Sequence, residues 1–260
     1  MVEKLSLEET LVSGSKNNLT TNVSETIKAL VVRGVTSKSE IVACRHQHRD
    51  FYYIDTGYLG NFPSLGNASG KKIWHRVVKN DLQHIDPIDA PADRWEKLIK
   101  QDPRLKFNGW KNFNQKILLV LPNPKACRYY DIDCDQWISE TTEKIKTYSD
   151  LPIEVRVKGS RSERNHGYSI YSAFDTGVHA TVSFNSIASL ESVLYGIPAF
   201  VSVPCAASPL ASTDLADLKN LPRPDTELIS KVCRTLAYGQ YTHEELQDGT
   251  AWKIINEIFS

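Results

Sequence analysis

The segment from His179 to Val203 constrains the fold of this chain more than any other part of its sequence. An apolar run leads to Asn185 and Ser186, and a second run of largely apolar residues ends at Gly196. Serine favours helix starts, and glycine favours helix ends. The order predicts a strand, a tight polar turn, a helix and a second buried strand, which is a βαβ unit.

The polar turn in this unit has the features of an anion site. Unpaired amides at a helix start and the helix dipole both favour a negatively charged ligand. Asn185 and Ser186 are therefore predicted to contact the phosphates of a ligand, and Ser189 is a further predicted donor-binding residue. Glu191 lies about a turn and a half further along, where it can accept hydrogen bonds from ligand hydroxyls. The alternative is a βαβ unit of the core without a ligand.

The pattern Asn185-Ser186, Glu191, Gly196-Ile197-Pro198 resembles the donor-binding signature of GT-B-type glycosyltransferases. The resemblance covers about 50 residues, Val155 to Pro204. This segment is also similar to open reading frames of phages and of capsule clusters that carry the same half-fold. The resemblance to glycosyltransferases implies that the turn holds the diphosphate of a nucleotide sugar, that the Glu binds ribose or sugar hydroxyls, and that no metal is needed.

Basic residues follow the strand predicted at residues 153–157. Arg156, Lys158 and Arg161 stand where a parallel sheet would bring them to the same edge as the Asn185 turn. Their charges would neutralise a leaving diphosphate. A solvated basic loop is the other interpretation. His179, just before the strand that leads to the turn, is a candidate contact to base or sugar, or a core or surface residue.

Further strand and helix patterns predict an α/β fold in two halves, and the resemblance implies two Rossmann-like halves in a compact GT-B-like arrangement. A buried strand at 27–33, a strand at 51–55 and a helix at 91–101 belong to the acceptor-side half, residues 1–112. A fresh buried strand begins at Lys116, and residues 113–260 form the donor-binding half. Ligands of such folds bind at the carboxyl ends of the strands.

Asp55 ends a predicted strand next to Gly57, and a carboxylate in this position suits a general base that takes the proton of an acceptor hydroxyl. Capping of the Thr56-Gly57 turn is the alternative role. Aromatic and basic residues nearby, with Arg33, Tyr58 and Arg76 as predicted acceptor contacts, suit a sugar or an unstacked base. The same aromatics could instead fill a small core.

Composition narrows the classes of function. The chain has 260 residues, and Lys+Arg equals Asp+Glu at 31 each, which excludes a uniformly basic nucleic-acid coat. Asp131-Ile132-Asp133 has the form of a metal motif, but capping of the following helix fits it better, and no metal ligand is predicted. Five scattered cysteines without a Cys-x-x-Cys pair indicate free thiols in a reducing compartment.

The sequence as a whole predicts a cytoplasmic glycosyltransferase, in the host cytoplasm if phage-encoded. Its donor is a nucleotide sugar, and it needs no other cofactor. The first acceptor to consider is a hydroxymethylated base in double-stranded phage DNA, and a polysaccharide or small molecule is the second. No membrane partner is expected, because no apolar run approaches membrane-spanning length. A non-catalytic nucleotide-sugar-binding module and an epimerase-like enzyme remain alternatives.

Overall fold

A computed structural model describes residues 29–61, 74–157 and 170–259. In this part of the chain two four-stranded sheets are covered by helices. No helix in it is long and apolar enough to span a bilayer. The predicted α/β class is confirmed.

The first sheet has the strand order β1-β2-β3-β8. Its strands are β1 (Ala29–Arg33), β2 (Asp50–Thr56), β3 (His75–Lys79) and β8 (Gln240–Tyr241). β1 and β2 are parallel, whereas β3 is antiparallel to both β2 and β8. This sheet therefore departs from an all-parallel Rossmann-like half. The two residues of β8 come from the far end of the chain, so the C-terminal segment completes the first sheet.

The second sheet is parallel throughout and has the order β5-β4-β6-β7. Its strands are β4 (Lys116–Val120), β5 (Ile153–Arg156), β6 (Val178–Ser183) and β7 (Ala199–Val201). Leu118 and Leu119 are fully buried, as expected for a strand covered on both faces. The proposed division of the chain at residues 112 and 113 falls just before this sheet begins.

The helices of the described residues connect and cover these strands. They are α1 (Lys38–His46), α2 (Asp93–Gln101), α3 (Pro124–Tyr130), α4 (Cys134–Tyr148), α5 (Ile170–Phe174), α6 (Ile187–Tyr195), α7 (Thr226–Tyr238), α8 (His243–Gln247) and α9 (Thr250–Ile258). Short 3-10 turns lie at Pro103–Leu105, Ser208–Leu210 and Leu215–Lys219. Gly249, which adopts a left-handed conformation with φ of 86°, separates α8 from α9.

One apolar core joins both halves of the sequence. Leu190 and Val193 on α6 belong to the same cluster as Leu59, Trp74 and Leu98 of the N-terminal half. All of them are less than a tenth exposed. The two sheets are therefore packed into one body rather than joined by a linker alone.

The expectation of five free thiols is wrong for two cysteines. Cys127, on α3, and Cys134, at the start of α4, form a disulfide, with their Cα atoms 5.9 Å apart. Cys44, Cys205 and Cys233 are free and buried. The two bonded cysteines are only seven residues apart, and the turn between α3 and α4 brings them together.

The shared core makes a stability prediction. Leu190→Ala should lower the free energy of unfolding by about 2–5 kcal/mol, because it removes a fully buried side chain and leaves a cavity. Val31→Ala is the control, since Val31 is 48% exposed and should cost no more than about 0.5 kcal/mol. Urea unfolding followed by circular dichroism and by tryptophan fluorescence measures both variants. Two separate transitions, with only one shifted by Leu190→Ala, would show that the halves unfold independently.

Candidate functional site

The turn after β6 has the predicted form. β6 ends at Ser183, and Ser186 is the N-cap of α6, where its hydroxyl accepts a hydrogen bond from the amide of Ala188 at 3.2 Å. Gly196 ends the helix with φ of 91°. A Cβ at Gly196 would lie 2.3 Å from the carbonyl oxygen of Gly109, so the close approach of the two segments also requires glycine.

Hydrogen bonds inside the turn use several of the groups that were predicted to contact a ligand. The Ser183 hydroxyl bonds to the Ser189 hydroxyl at 2.8 Å and accepts from the Ser186 amide at 3.1 Å. Ser189 is fully buried. Ser189 therefore braces the turn from inside, while Asn185 and Ser186 keep partly exposed positions at its surface.

Tyr130 of α3 lies beside this turn. Its ring packs edge-on against Phe184 with centroids 5.3 Å apart. Burial raises the pKa of Tyr130, and a hydrogen bond with the side chain of Asn185 opposes that rise. The predicted ligand turn is thus held by an aromatic side chain that the sequence analysis did not single out, since nothing local to residue 130 marks it.

Glu191 lies on the side of α6 that faces a buried charged cluster. It is 7% exposed. The guanidinium of Arg104 makes two hydrogen bonds to buried Asp102, at 2.8 and 3.0 Å, and stacks 5.0 Å over the ring of Tyr171. The hydrogen bonds to Asp102 raise the pKa of Arg104, and the charge of Glu191 raises it further. Burial, followed by the charge of Glu191, raises the pKa of Tyr171. Glu191 therefore interacts with Arg104 and Tyr171 of the protein itself.

Of the predicted basic donor contacts, the structure describes only Arg156. Arg156 ends β5 at the carboxyl edge that also carries the Asn185 turn, but β4 lies between β5 and β6. With strands roughly 4.8 Å apart, the Arg156 backbone is about 10 Å from the end of β6. Lys158 and Arg161 lie outside the described residues.

The structure separates His179 from the ligand turn. This residue is the second in β6, so it lies near the amino edge of the sheet, and its Nδ1 is 2.7 Å from the carbonyl oxygen of Phe113. Five residues further on, the chain has advanced by about 16 Å when it reaches Phe184. The expectation that His179 contacts the base or sugar of a donor on the Asn185 turn is not supported by its position.

In the first sheet, register brings Asp55 and Arg76 together. They are direct partners across β2 and β3, and their side chains form an ion pair of 3.2 Å. Asp55 also accepts hydrogen bonds from the hydroxyl of Tyr53 at 2.9 Å and from the amide of Thr56 at 2.7 Å. Asp55 therefore has three donors within the protein, one of them the amide of Thr56, and a role as base would have to coexist with them.

Tyr58 is too buried to present a surface to an acceptor. It is 3% exposed, and its hydroxyl accepts from the amide of His84 at 2.9 Å and lies 3.1 Å from Nδ1 of the same residue. Burial raises the pKa of Tyr58 to about 12. The guanidinium of Arg76 lies 5.3 Å from the Tyr58 ring, so Tyr58 supports Arg76 from behind.

Arg33 is on the wrong face of the sheet to join this group. It pairs with Ile54, whereas Asp55 is the next residue along β2. Successive side chains of a strand point to opposite faces, so Arg33 and Asp55 lie on opposite sides of the sheet. Of the predicted acceptor contacts, Arg33 therefore lies on the opposite face of the sheet from the Asp55–Arg76 pair.

The segment after β7 connects the two edges. The amide of Ala206 donates to the side-chain oxygen of Gln83 at 2.9 Å. The buried side chain of Cys205 lies near Arg76, Tyr58 and Tyr130. The Asp55–Arg76 pair and the Tyr130–Asn185 pair thus approach one segment from the two sheets. We call these four residues the edge group.

Ion pairs neutralise the basic residues near α1. Lys38 pairs with Asp131, Arg45 lies 3.3 Å from Asp81, and Lys79 lies 3.1 Å from Asp50. Asp133 caps α4 by accepting from the amides of Asp135 and Gln136, as predicted. Among the described residues, no group of three or more His, Cys, Asp and Glu side chains could hold a metal ion.

Comparisons with known proteins identify a shared fold. The chain superposes on the β-Kdo 2,4 transferase of Thermosulfurimonas dismutans KpsC with a TM-score of 0.51 at 11% identity, covering 84% of this chain and 82% of the other. For the β-Kdo 2,7 transferase of the same protein the TM-score is 0.51 at 10% identity, with 88% and 84% covered. No family model and no curated protein sequence matches the chain. At these identities the likeness shows the fold.

The surroundings of His84 predict that the folded state loses stability in acid. Burial, followed by the charge of Arg76, lowers the pKa of His84 to about 3, against about 6.5 when unfolded. The ring lies between Tyr58 and Phe259, although the residue keeps a partly exposed edge. As pH falls below 6.5 the unfolded chain takes up a proton that folded His84 refuses, so stability is lost.

Between pH 7 and pH 5 this residue should cost up to about 2 kcal/mol of stability. His84→Gln should reduce the pH dependence of unfolding by that amount, while His243→Gln, at the start of α8, should not. Chemical denaturation at the two pH values measures the difference. Equal pH dependence in wild type and His84→Gln would contradict the assignment.

Proposed function

We propose that this protein is a glycosyltransferase that moves a sugar from a nucleotide-sugar donor to an acceptor hydroxyl. The observation that carries the proposal is the edge group, because it combines a helix start on one sheet with a carboxylate–guanidinium pair on the other. The fold shared with two Kdo transferases supports it. In this assignment Asn185, Ser186 and the first turn of α6 bind the donor phosphate.

The proposed reaction follows from the charges at the two edges. The acceptor oxygen forms a bond to the anomeric carbon while the bond from that carbon to the donor phosphate oxygen breaks. The electron pair leaves with the phosphate, where the dipole of α6 and the charge of Arg156 stabilise it. The acceptor proton passes to Asp55. Because this chain supplies cationic groups for the leaving phosphate, we propose that the reaction is metal-independent.

A saccharide hydroxyl is the acceptor that we favour over DNA. Lys38, Arg45 and Lys79 are each paired with a carboxylate, so these three side chains are less available to a phosphate backbone. The two solved structures compared above are Kdo transferases. A hydroxymethylated base in DNA remains an acceptor to include in the assay.

A donor screen tests the proposal directly. Thermal shift is measured with nucleotide-activated sugars, with activated Kdo first in the panel, and a ligand at a hundred times its Kd should stabilise the protein by about 2.7 kcal/mol. Binders are then incubated with oligosaccharides or with duplex DNA that contains hydroxymethylated bases. Donor binding without turnover on any acceptor would favour the non-catalytic module. No stabilisation by any nucleotide sugar would contradict the proposed function.

Glu191 tests the donor side of the site. If its carboxylate accepts hydrogen bonds from donor hydroxyls, Glu191→Gln should weaken donor binding by about 1.5–3 kcal/mol, the contribution of hydrogen bonds to a charged group. Calorimetric titration with the donor from the screen measures the effect. Glu154→Gln, an exposed carboxylate on the second sheet, is the control. Unchanged donor affinity in Glu191→Gln would leave Glu191 as a partner of the Arg104 cluster alone.

Asp55 tests the acceptor side. Asp55→Asn keeps an acceptor for the Thr56 amide but removes basicity, so donor affinity should persist while kcat falls by about 10²–10⁴-fold. Arg76→Gln removes the same ion pair but keeps the carboxylate, and it should raise KM for the acceptor more than it lowers kcat. Near-normal kcat in Asp55→Asn would assign Asp55 to turn capping and support of Arg76.

A further inference from the structure

We propose that β5 is a dimerisation edge, which pairs antiparallel with β5 of a second copy of this chain. β5 is the outermost strand of the second sheet, and among the described residues no strand pairs with its outer side. An uncovered edge presents a row of backbone donors and acceptors that can pair with another strand. This inference does not rest on the proposed function, but the two share Arg156, so its test measures mass and not activity.

Ile153 and Val155 of β5, with Val157 directly after the strand, place apolar side chains at exposed positions. Val155 is 51% exposed and Val157 is 69% exposed, and both stand among the large apolar side chains that the described chain leaves in solvent. Ile153 is partly buried against the core under α4. A second strand added at this edge would extend the same apolar face and cover the two valines.

The sequence of the strand is complementary to itself. In Ile153-Glu154-Val155-Arg156-Val157, a two-fold axis at Val155 places Glu154 opposite Arg156 of the second copy, and the reverse. Val155 of one copy then lies opposite Val155 of the other, and Ile153 of each copy lies opposite Val157 of the other. Opposite charges and apolar pairs directly across a strand pair are the stabilising combinations.

Other registers lose this complementarity. Moving the strands by two residues places either Glu154 opposite Glu154 or Arg156 opposite Arg156, and like charges in that position are destabilising. Moving them by one residue places a charged residue opposite a valine and mixes the two faces. The charge pattern therefore selects one symmetric register, which gives a closed dimer.

A groove beside β5 leaves room for the added strand of a second copy. A groove with a volume of about 500 Å³ runs between the end of α4 and β5, and Val155 lines it. Thr142 and Lys146 of α4 and the segment from Ser149 to Ile153 form the rest of its wall. Glu154 also pairs with Lys116 of β4, so Arg156 of the second copy would join an existing carboxylate–ammonium pair.

Charge exchange tests the proposal through the mass in solution. Sedimentation analysis of the full chain over a concentration series should show a dimer of twice the chain mass. Arg156→Glu and Glu154→Arg should each shift the protein to a monomer, because each places like charges across the axis. The double variant Glu154→Arg/Arg156→Glu should restore the dimer. The readout is mass, so it does not depend on whether Arg156 contacts a donor.

A covalent trap tests the register. Two Val155→Cys copies should join through a disulfide on mild air oxidation, since the axis places these positions directly opposite each other, within the Cα separation that a disulfide requires. Val31→Cys, at an equally exposed valine on the outer strand of the first sheet, should remain uncrosslinked. A monomer at every concentration, a dimer that survives either single charge reversal, or crosslinking of both cysteine variants alike would overturn the proposal.

Discussion

The apolar side of α6 determines how the rest of the molecule is arranged. Leu190, Val193 and Leu194 belong to one buried cluster with side chains of α2 and of the loop that follows β2, so this cluster joins the second sheet to the first. Since this contact is a continuous core and not a polar domain interface, the two sheet edges have little freedom to separate. The positions of the Asn185 turn and the Asp55–Arg76 pair relative to each other follow from that packing.

Buried polar side chains hold the segment that follows β2 in place. The side chain of Gln240, fully buried on β8, accepts from the amide of Leu59 and donates to its carbonyl, both at 3.0 Å. Asn61 makes the same two-way contact with the backbone of Trp74. Each of these amide side chains satisfies backbone groups that would otherwise be buried without partners. The loop that carries Tyr58 is consequently held in place without belonging to a helix or strand.

Local signals explain which parts of this structure the sequence could predict. The β6–turn–α6 unit was predictable because its apolar periodicity, Ser186 and Gly196 act within one short segment. The antiparallel direction of β3 and the opposite faces of Arg33 and Asp55 depend on strand register, which is decided by contacts distant in sequence. The Cys127–Cys134 bond and the place of Tyr130 depend on the turn after α3, where Asp131 adopts a left-handed conformation that composition does not reveal.

The late position of β8 in the chain has a consequence for biosynthesis. The first sheet begins at residue 29, but its last strand is made only at residues 240–241. While the chain emerges from the ribosome, β3 has no neighbour on its outer side, and Tyr52 and Val77 lack the cover that α9 later provides through Ala251 and Ile255. A nascent chain must therefore keep an unfinished sheet soluble until residues 240–258 have been made, and such a topology benefits from chaperones that bind exposed strands.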